Sequence, residues 1–148
     1  MRSAHIATWL VTGLLFAGAT PGERGTPEEA QALLERAVAL VESEGEEKAL
    51  AVFNDRKGAF VDRDLYVFCM GPEYKITAHV EVGMRGVDVA TLKDPDGKQI
   101  GREMIEIAQR GSGSIEYRWV NPVSKDVEPK ISFLRPAGSQ FCGVGAYK

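Results

Sequence analysis

The residues able to do chemistry are concentrated near the C-terminal end of this chain. Tyr117 and Trp119 stand two apart, a spacing that puts both rings on one face of a strand. Lys130 follows after a Pro-bounded loop, and Gly143-Val144-Gly145-Ala146-Tyr147 forms a glycine-rich final strand. Two aromatic walls and one cation can build a small aromatic-walled pocket with one positive charge in it. The rings exclude water and offer a phenol O–H and an indole N–H, and the ammonium supplies the charge. His79 is a further donor that would give anion binding a pH dependence. Tyr66, Phe68 and Met104 are candidate lining residues. Each has a plainer alternative. Lys130 can be a solvated residue at a strand start, Tyr117 and Trp119 can pack against the N-terminal helix, His79 can be structural, and the other three can be core. Arg118 alternates to the opposite face and is set aside.

Other chemistries lack their residues. With residues 1–19 set aside, His79 is the one histidine, and two widely separated cysteines give it no zinc-ligand spacing and no haem-attachment motif. No G-x-S-x-G elbow or P-loop occurs. Gly111-Ser112-Gly113 reads as a helix stop, and Asp94-Pro95-Asp96-Gly97 as a turn without the remaining ligands of a calcium loop. Glu28, Glu29, Glu35 and Glu42 form the solvated side of an amphipathic helix. The expectation is a binding protein, not an enzyme, without metal or cofactor. A net charge of −3 gives no footprint for nucleic acid or anionic lipid.

Residues 1–19 combine Arg2 and His5, an apolar run from 6 to 16 and Ala17-Gly18-Ala19, the layout of a cleaved secretory signal peptide. The run is short for a bilayer span, which makes an uncleaved membrane anchor the second choice. The protein is thus expected in the periplasm or secreted, where Cys69 and Cys142 either pair or remain as two buried thiols. Residues 20–25 read as a flexible leader and 26–148 as one domain. Thr26, Pro27 and Glu29 form a capped helix start, and Ala30, Leu33, Leu34, Ala37, Val38 and Val41 make one apolar stripe. Gly45 dents that pattern before it resumes to residue 54, as one long helix or two nearly collinear ones. Strands are expected at 65–70, 75–80, 114–120, 130–135 and 140–147, with a short crossover helix at 99–110. The fold class is therefore α+β: a five-stranded antiparallel sheet with a long N-terminal helix on one face.

Taken in order, Phe53-Asn54-Asp55, Gly58-Ala59-Phe60, Asp64 to Phe68, Ala78-His79, Leu92-Lys93-Asp94, Asp96-Gly97, Glu103-Met104-Ile105, Tyr117-x-Trp119-x-Asn121-Pro122, Lys130 and the Gly143 to Tyr147 ending resemble the type 2 single Cache domain. The similarity covers about residues 26–148. It implies a PAS-like sheet behind a long helix, used outside the cytoplasm to sense small metabolites such as short carboxylates for chemoreceptors and histidine kinases. Such a strand order would also place the first and last strands side by side, bringing Cys69 and Cys142 together. Three departures stand out. The sequence ends at Lys148, so output is expected from a separate receptor, kinase or transporter partner. Phe133 replaces a frequent tyrosine, removing a possible pocket hydroxyl. The stretch 80–89 is poor in the usual Pro and Asn. The competing expectation is a structural or interaction module that docks or homodimerises through the long helix and binds no small ligand.

Overall fold

The computed structural model describes residues 23–148. The expected signal segment at 1–19 lies outside the described residues. The end of the expected flexible leader does not run free: the Arg24 guanidinium donates twice to the Glu128 carboxylate (2.8 and 2.9 Å), and the Gly25 N–H donates to Asp64 Oδ1 at 2.8 Å.

Helix α1 (Pro27–Glu44) begins as its capping box dictates. Thr26 Oγ1 accepts from the Glu29 N–H, and the Glu29 carboxylate accepts from the Thr26 N–H. Its apolar stripe from Ala30 to Val41 is buried. Gly45, at φ +87°, a conformation glycine takes without strain, separates it from α2 (Glu46–Phe53), so the two-helix alternative holds. Helix α3 (Ile100–Arg110) ends at Gly111.

Among the described residues the sheet has six strands, one more than the expected five: β1 (Val61–Asp62), β2 (Leu65–Met70), β3 (Ile76–Ala78), β4 (Gly113–Val120), β5 (Val127–Ala137) and β6 (Gln140–Tyr147). All neighbours are antiparallel in the order β1-β2-β6-β5-β4, with β3 also on β2. The unexpected β1 is two residues that fold back onto β2 through Arg63 at φ +57°, too short to show alternation. Strand β5 starts before Pro129, which pairs with Arg118 inside the ladder although it has no N–H to donate. The turn at 94–97 covers the β4 edge. Lys98 Nζ donates to the Glu116 carbonyl at 2.6 Å, and Asp94 Oδ2 accepts the Arg118 N–H at 3.3 Å, so two edge groups are already satisfied.

Strand alternation sorts the core into two layers. Leu65, Val67, Cys69, Cys142, Val144 and Ala146 face α1 and α2. Tyr66, Phe68, Ile115, Tyr117, Leu134 and Tyr147 face the other way, under α3 and the connection at 79–93. This sorting removes one alternative and corrects one expectation. Tyr117 and Trp119 do not pack against the N-terminal helix, because they belong to the second layer. Phe133 turns toward the helices, so a hydroxyl there would never have reached the pocket. Cys69 and Cys142 are register partners on β2 and β6, with Cα atoms 4.0 Å apart and their sulfurs bonded on the helix side.

Candidate functional site

Lys130 reaches the site because of two glycines. It leaves β5 on the second layer and runs across the face of β6 to β2. A Cβ on Gly145 would overlap Lys130 Cε and Ser132 Oγ, and one on Gly143 would crowd the Phe68 ring. The glycine-rich ending thus clears a channel for one long side chain. Gly145→Ala is expected to cost about 1–3 kcal/mol through this overlap, and to displace the amine. Chemical denaturation read against ligand titration checks both effects.

At the end of the channel Lys130 is fully buried. Its Nζ donates to the Tyr66 hydroxyl at 2.8 Å and faces the Tyr147 hydroxyl at 3.4 Å. The Tyr147 O–H in turn donates to the Val120 carbonyl at 2.7 Å. Four rings surround the nitrogen, with centroids 4.2 Å (Tyr66), 4.7 Å (Tyr147), 5.8 Å (Phe68) and 6.0 Å (Tyr117) away, a geometry that offsets part of an ammonium's desolvation. Burial pulls the Lys130 ammonium down to about 7, and the charge of Asp64 pushes the other way. Burial likewise lifts the Tyr66, Tyr117 and Tyr147 phenols above their usual range, so all three stay neutral. Tyr117 shares a 2.9 Å hydrogen bond with Ser132.

His79 stands edge-on to Tyr66, ring centroids 5.1 Å apart. Its Nδ1 accepts the Glu81 N–H at 2.9 Å, which in a neutral ring leaves Nε2 carrying the proton as a donor. Burial first, and Lys130 second, pull its pKa down to about 3. The neutral-range pH dependence expected of His79 is therefore out of its reach. Its backbone is fixed from the helix layer: Asn54, just past α2, accepts the His79 N–H at 3.1 Å, and Arg85 clasps the His79 and Asn54 carbonyls at 3.2 and 2.8 Å.

These groups border a cavity of about 20 Å³, room for roughly one water. Tyr66, Phe68, His79, Met104, Tyr117 and Trp119 line it. Lys130 sits behind the tyrosines.

The single Cache domain 2 model matches residues 22–139. The chain belongs to that family. Its fold is shared with the methyl-accepting chemotaxis protein of Vibrio parahaemolyticus RIMD 2210633, at a TM-score of 0.69 and 20% identity over 81% of this chain and 86% of that one. A Cache chemosensory domain described for carboxylic acid recognition superposes at a TM-score of 0.60 and 22% identity, covering 81% and 86%. The periplasmic sensor domain of a chemotaxis protein does so at 0.62 and 28%, covering 81% and 88%. The PAS-like, ligand-sensing architecture implied by the sequence motifs is that of this Cache domain.

Six of the seven predicted site residues border the cavity of this Cache domain, and the seventh, Lys130, aims its nitrogen toward the rings that form its wall. Sequence reasoning missed Tyr147 and Ser132, although both share strand parity with Lys130 through its register partners. It also missed Met84 and Leu92, which lie in the irregular connection where no period marks a buried face.

Proposed function

We propose that this Cache domain binds a short carboxylate outside the cytoplasm and passes the event to a signalling partner, a membrane receptor, kinase or transporter, whether joined to it in one chain or separate. The observation that carries this reading is Lys130: a buried amine with no carboxylate in contact among the described residues, facing aromatic rings that wall a cavity into which His79 can donate a second hydrogen bond. The carboxylic acid recognition described for one structural neighbour supports the ligand class, and the periplasmic setting of another supports the location. The arrangement at residues 1–19 and the bonded cysteines point to the same compartment. We read the site as one for binding, not catalysis.

The small cavity favours ligands of few heavy atoms and requires the tyrosines or the connection at 79–93 to give way on entry. It is also the observation that favours the competing reading, an interaction module without a ligand. A thermal-shift panel decides between them. Acetate, propionate, lactate and pyruvate are tested beside glycine and small amines. At a hundredfold excess over Kd, a bound ligand stabilises by about 2.7 kcal/mol, several degrees in Tm. Stabilisation by at least one carboxylate and by none of the amines is expected. No shift with any compound, together with a ligand-free dimer, would transfer the function to the interaction reading.

A further inference from the structure

Resting on that reading, we infer that a carboxylate is bound here together with one proton, which Lys130 takes up as the anion arrives, so that the site responds to the pair of anion and acidity and not to the anion alone.

The hydrogen-bond geometry around Nζ is the reason. The Tyr147 proton is committed to the Val120 carbonyl, so that oxygen faces Lys130 purely as an acceptor. The Tyr66 hydroxyl accepts from Lys130 at 2.8 Å and also meets the Tyr147 hydroxyl, which gives its own proton a second place to go. Lys130 therefore meets two phenol oxygens, donating to Tyr66 at 2.8 Å and facing Tyr147 at 3.4 Å, and neither carries a charge to balance an ammonium. An ammonium has three N–H groups and two phenol oxygens to receive them, and the third points among aromatic rings. The protein thus gives the buried amine phenol oxygens and ring faces but no carboxylate contact among the described residues, which favours the neutral form until an anion arrives.

The surrounding charges do not repair that deficit. Asp64, in the β1–β2 turn, has one oxygen engaged by the Gly25 N–H at 2.8 Å and the other by Asn121 Nδ2 at 3.1 Å, and it makes no contact with Nζ. Glu128, near the start of β5, is held by Arg24 and Asn121. On the connection at 79–93, His79 is neutral and Arg85 is turned to backbone carbonyls. Strands β4 and β6 present the Tyr117 and Tyr147 phenols, and α3 presents Ile100 and Met104. Desolvation is the larger influence and Asp64 the smaller, which leaves the amine titrating at about 7. A ligand carboxylate at hydrogen-bond distance supplies a strong acceptor and a full negative charge in a largely desolvated site. The proton comes from solvent and stays on nitrogen, with no bond to the ligand made or broken.

The sign follows from linkage. Below the pKa of the free amine the proton is already present and affinity is flat. Above it each bound anion must bring a proton, and affinity falls about tenfold per pH unit. With the free amine at about 7, the drop between pH 6 and pH 8 is about tenfold.

The test is calorimetric titration of the full chain with propionate and acetate at pH 6 and pH 8. Each pH is run in two buffers of different ionisation enthalpy (MES and Bis-Tris, then HEPES and Tris). At pH 8 the observed enthalpies should differ between buffers by an amount equal to about one proton taken up. At pH 6 they should nearly coincide, with about tenfold tighter binding. Equal affinity and buffer-independent enthalpy at both pH values would overturn proton uptake while leaving the carboxylate site standing. Absence of binding at both would remove the site and the inference together. A ligand-free measurement checks the same point. The ¹⁵Nζ resonance of Lys130 should titrate in the neutral range, and a shift fixed at the ammonium position from pH 6 to pH 9 would contradict the inference whatever binds.

Discussion

Lys130→Met is expected to abolish carboxylate binding, by about 100-fold or more, while leaving the domain more stable than the wild type at pH 6. The first effect follows from removing the one cation that faces the cavity walls among the described residues, since truncating a buried hydrogen-bonded charge partner costs about 2–5 kcal/mol. The second follows from the cost of keeping that cation dry. The unfolded lysine titrates at 10.5 and the folded one at about 7, so between those values the unfolded chain holds the extra proton. Stability from this group therefore rises as pH climbs from 7 toward 10.5, and the full penalty applies below 7. At 1.36 kcal/mol per pH unit the penalty is at most about 5 kcal/mol. Methionine keeps the volume and removes the charge, at about 1 kcal/mol for the Tyr66 hydroxyl left without its partner. A net gain of about 2–4 kcal/mol at pH 6, on the order of 5–10 °C in Tm, should fade by pH 9–10. Urea unfolding at both pH values reads it. A variant less stable than wild type at pH 6 would mean that an unseen partner holds the ammonium.

Replacing both cysteines, Cys69→Ala with Cys142→Ala, should cost about 4 kcal/mol without disturbing the pocket. The cross-link spans 73 residues, and closing a loop of that length in the unfolded chain removes roughly that much free energy. Both sulfurs lie on the helix side of the sheet, among Leu34, Val67 and Val144, so ligand affinity in the folded protein should stay within about twofold. Denaturation of the double variant beside the oxidised and reduced wild type measures the cost, and alkylation under denaturing conditions counts the thiols. Two titratable thiols in the unreduced protein would show that no bond forms.

What the sequence discloses here depends on whether a feature is local. The start of α1 is legible at Thr26 and Glu29 because both capping hydrogen bonds lie within four residues. The shared face of Tyr117 and Trp119 is legible because alternation has a period of two. Features set across strands are not. Pro129 reads as a boundary, yet it sits within β5 because pairing with Arg118 carries the strand through it. Phe133 reads as a pocket residue by family comparison, although its parity relative to Lys130 already assigns it to the helix face. The path of Lys130 over Gly145 exists only through the register of β5 with β6, which no local pattern specifies. The same holds for the electrostatics. A lone histidine suggests a neutral-range switch, but burial and the nearby lysine move that titration to about 3 and leave the neutral range to Lys130.

The most direct measurement is a crystal structure of the protein grown with whichever of acetate, propionate, lactate and pyruvate binds tightest. A carboxylate oxygen about 2.8 Å from Lys130 Nζ is predicted, with the His79 Nε2–H as second donor and Tyr66 or Trp119 displaced to make room. A cavity still closed at saturating ligand, with Nζ resting on Tyr66 and Tyr147 and the anion bound elsewhere, would contradict the assignment of Lys130 as the residue that reads the ligand.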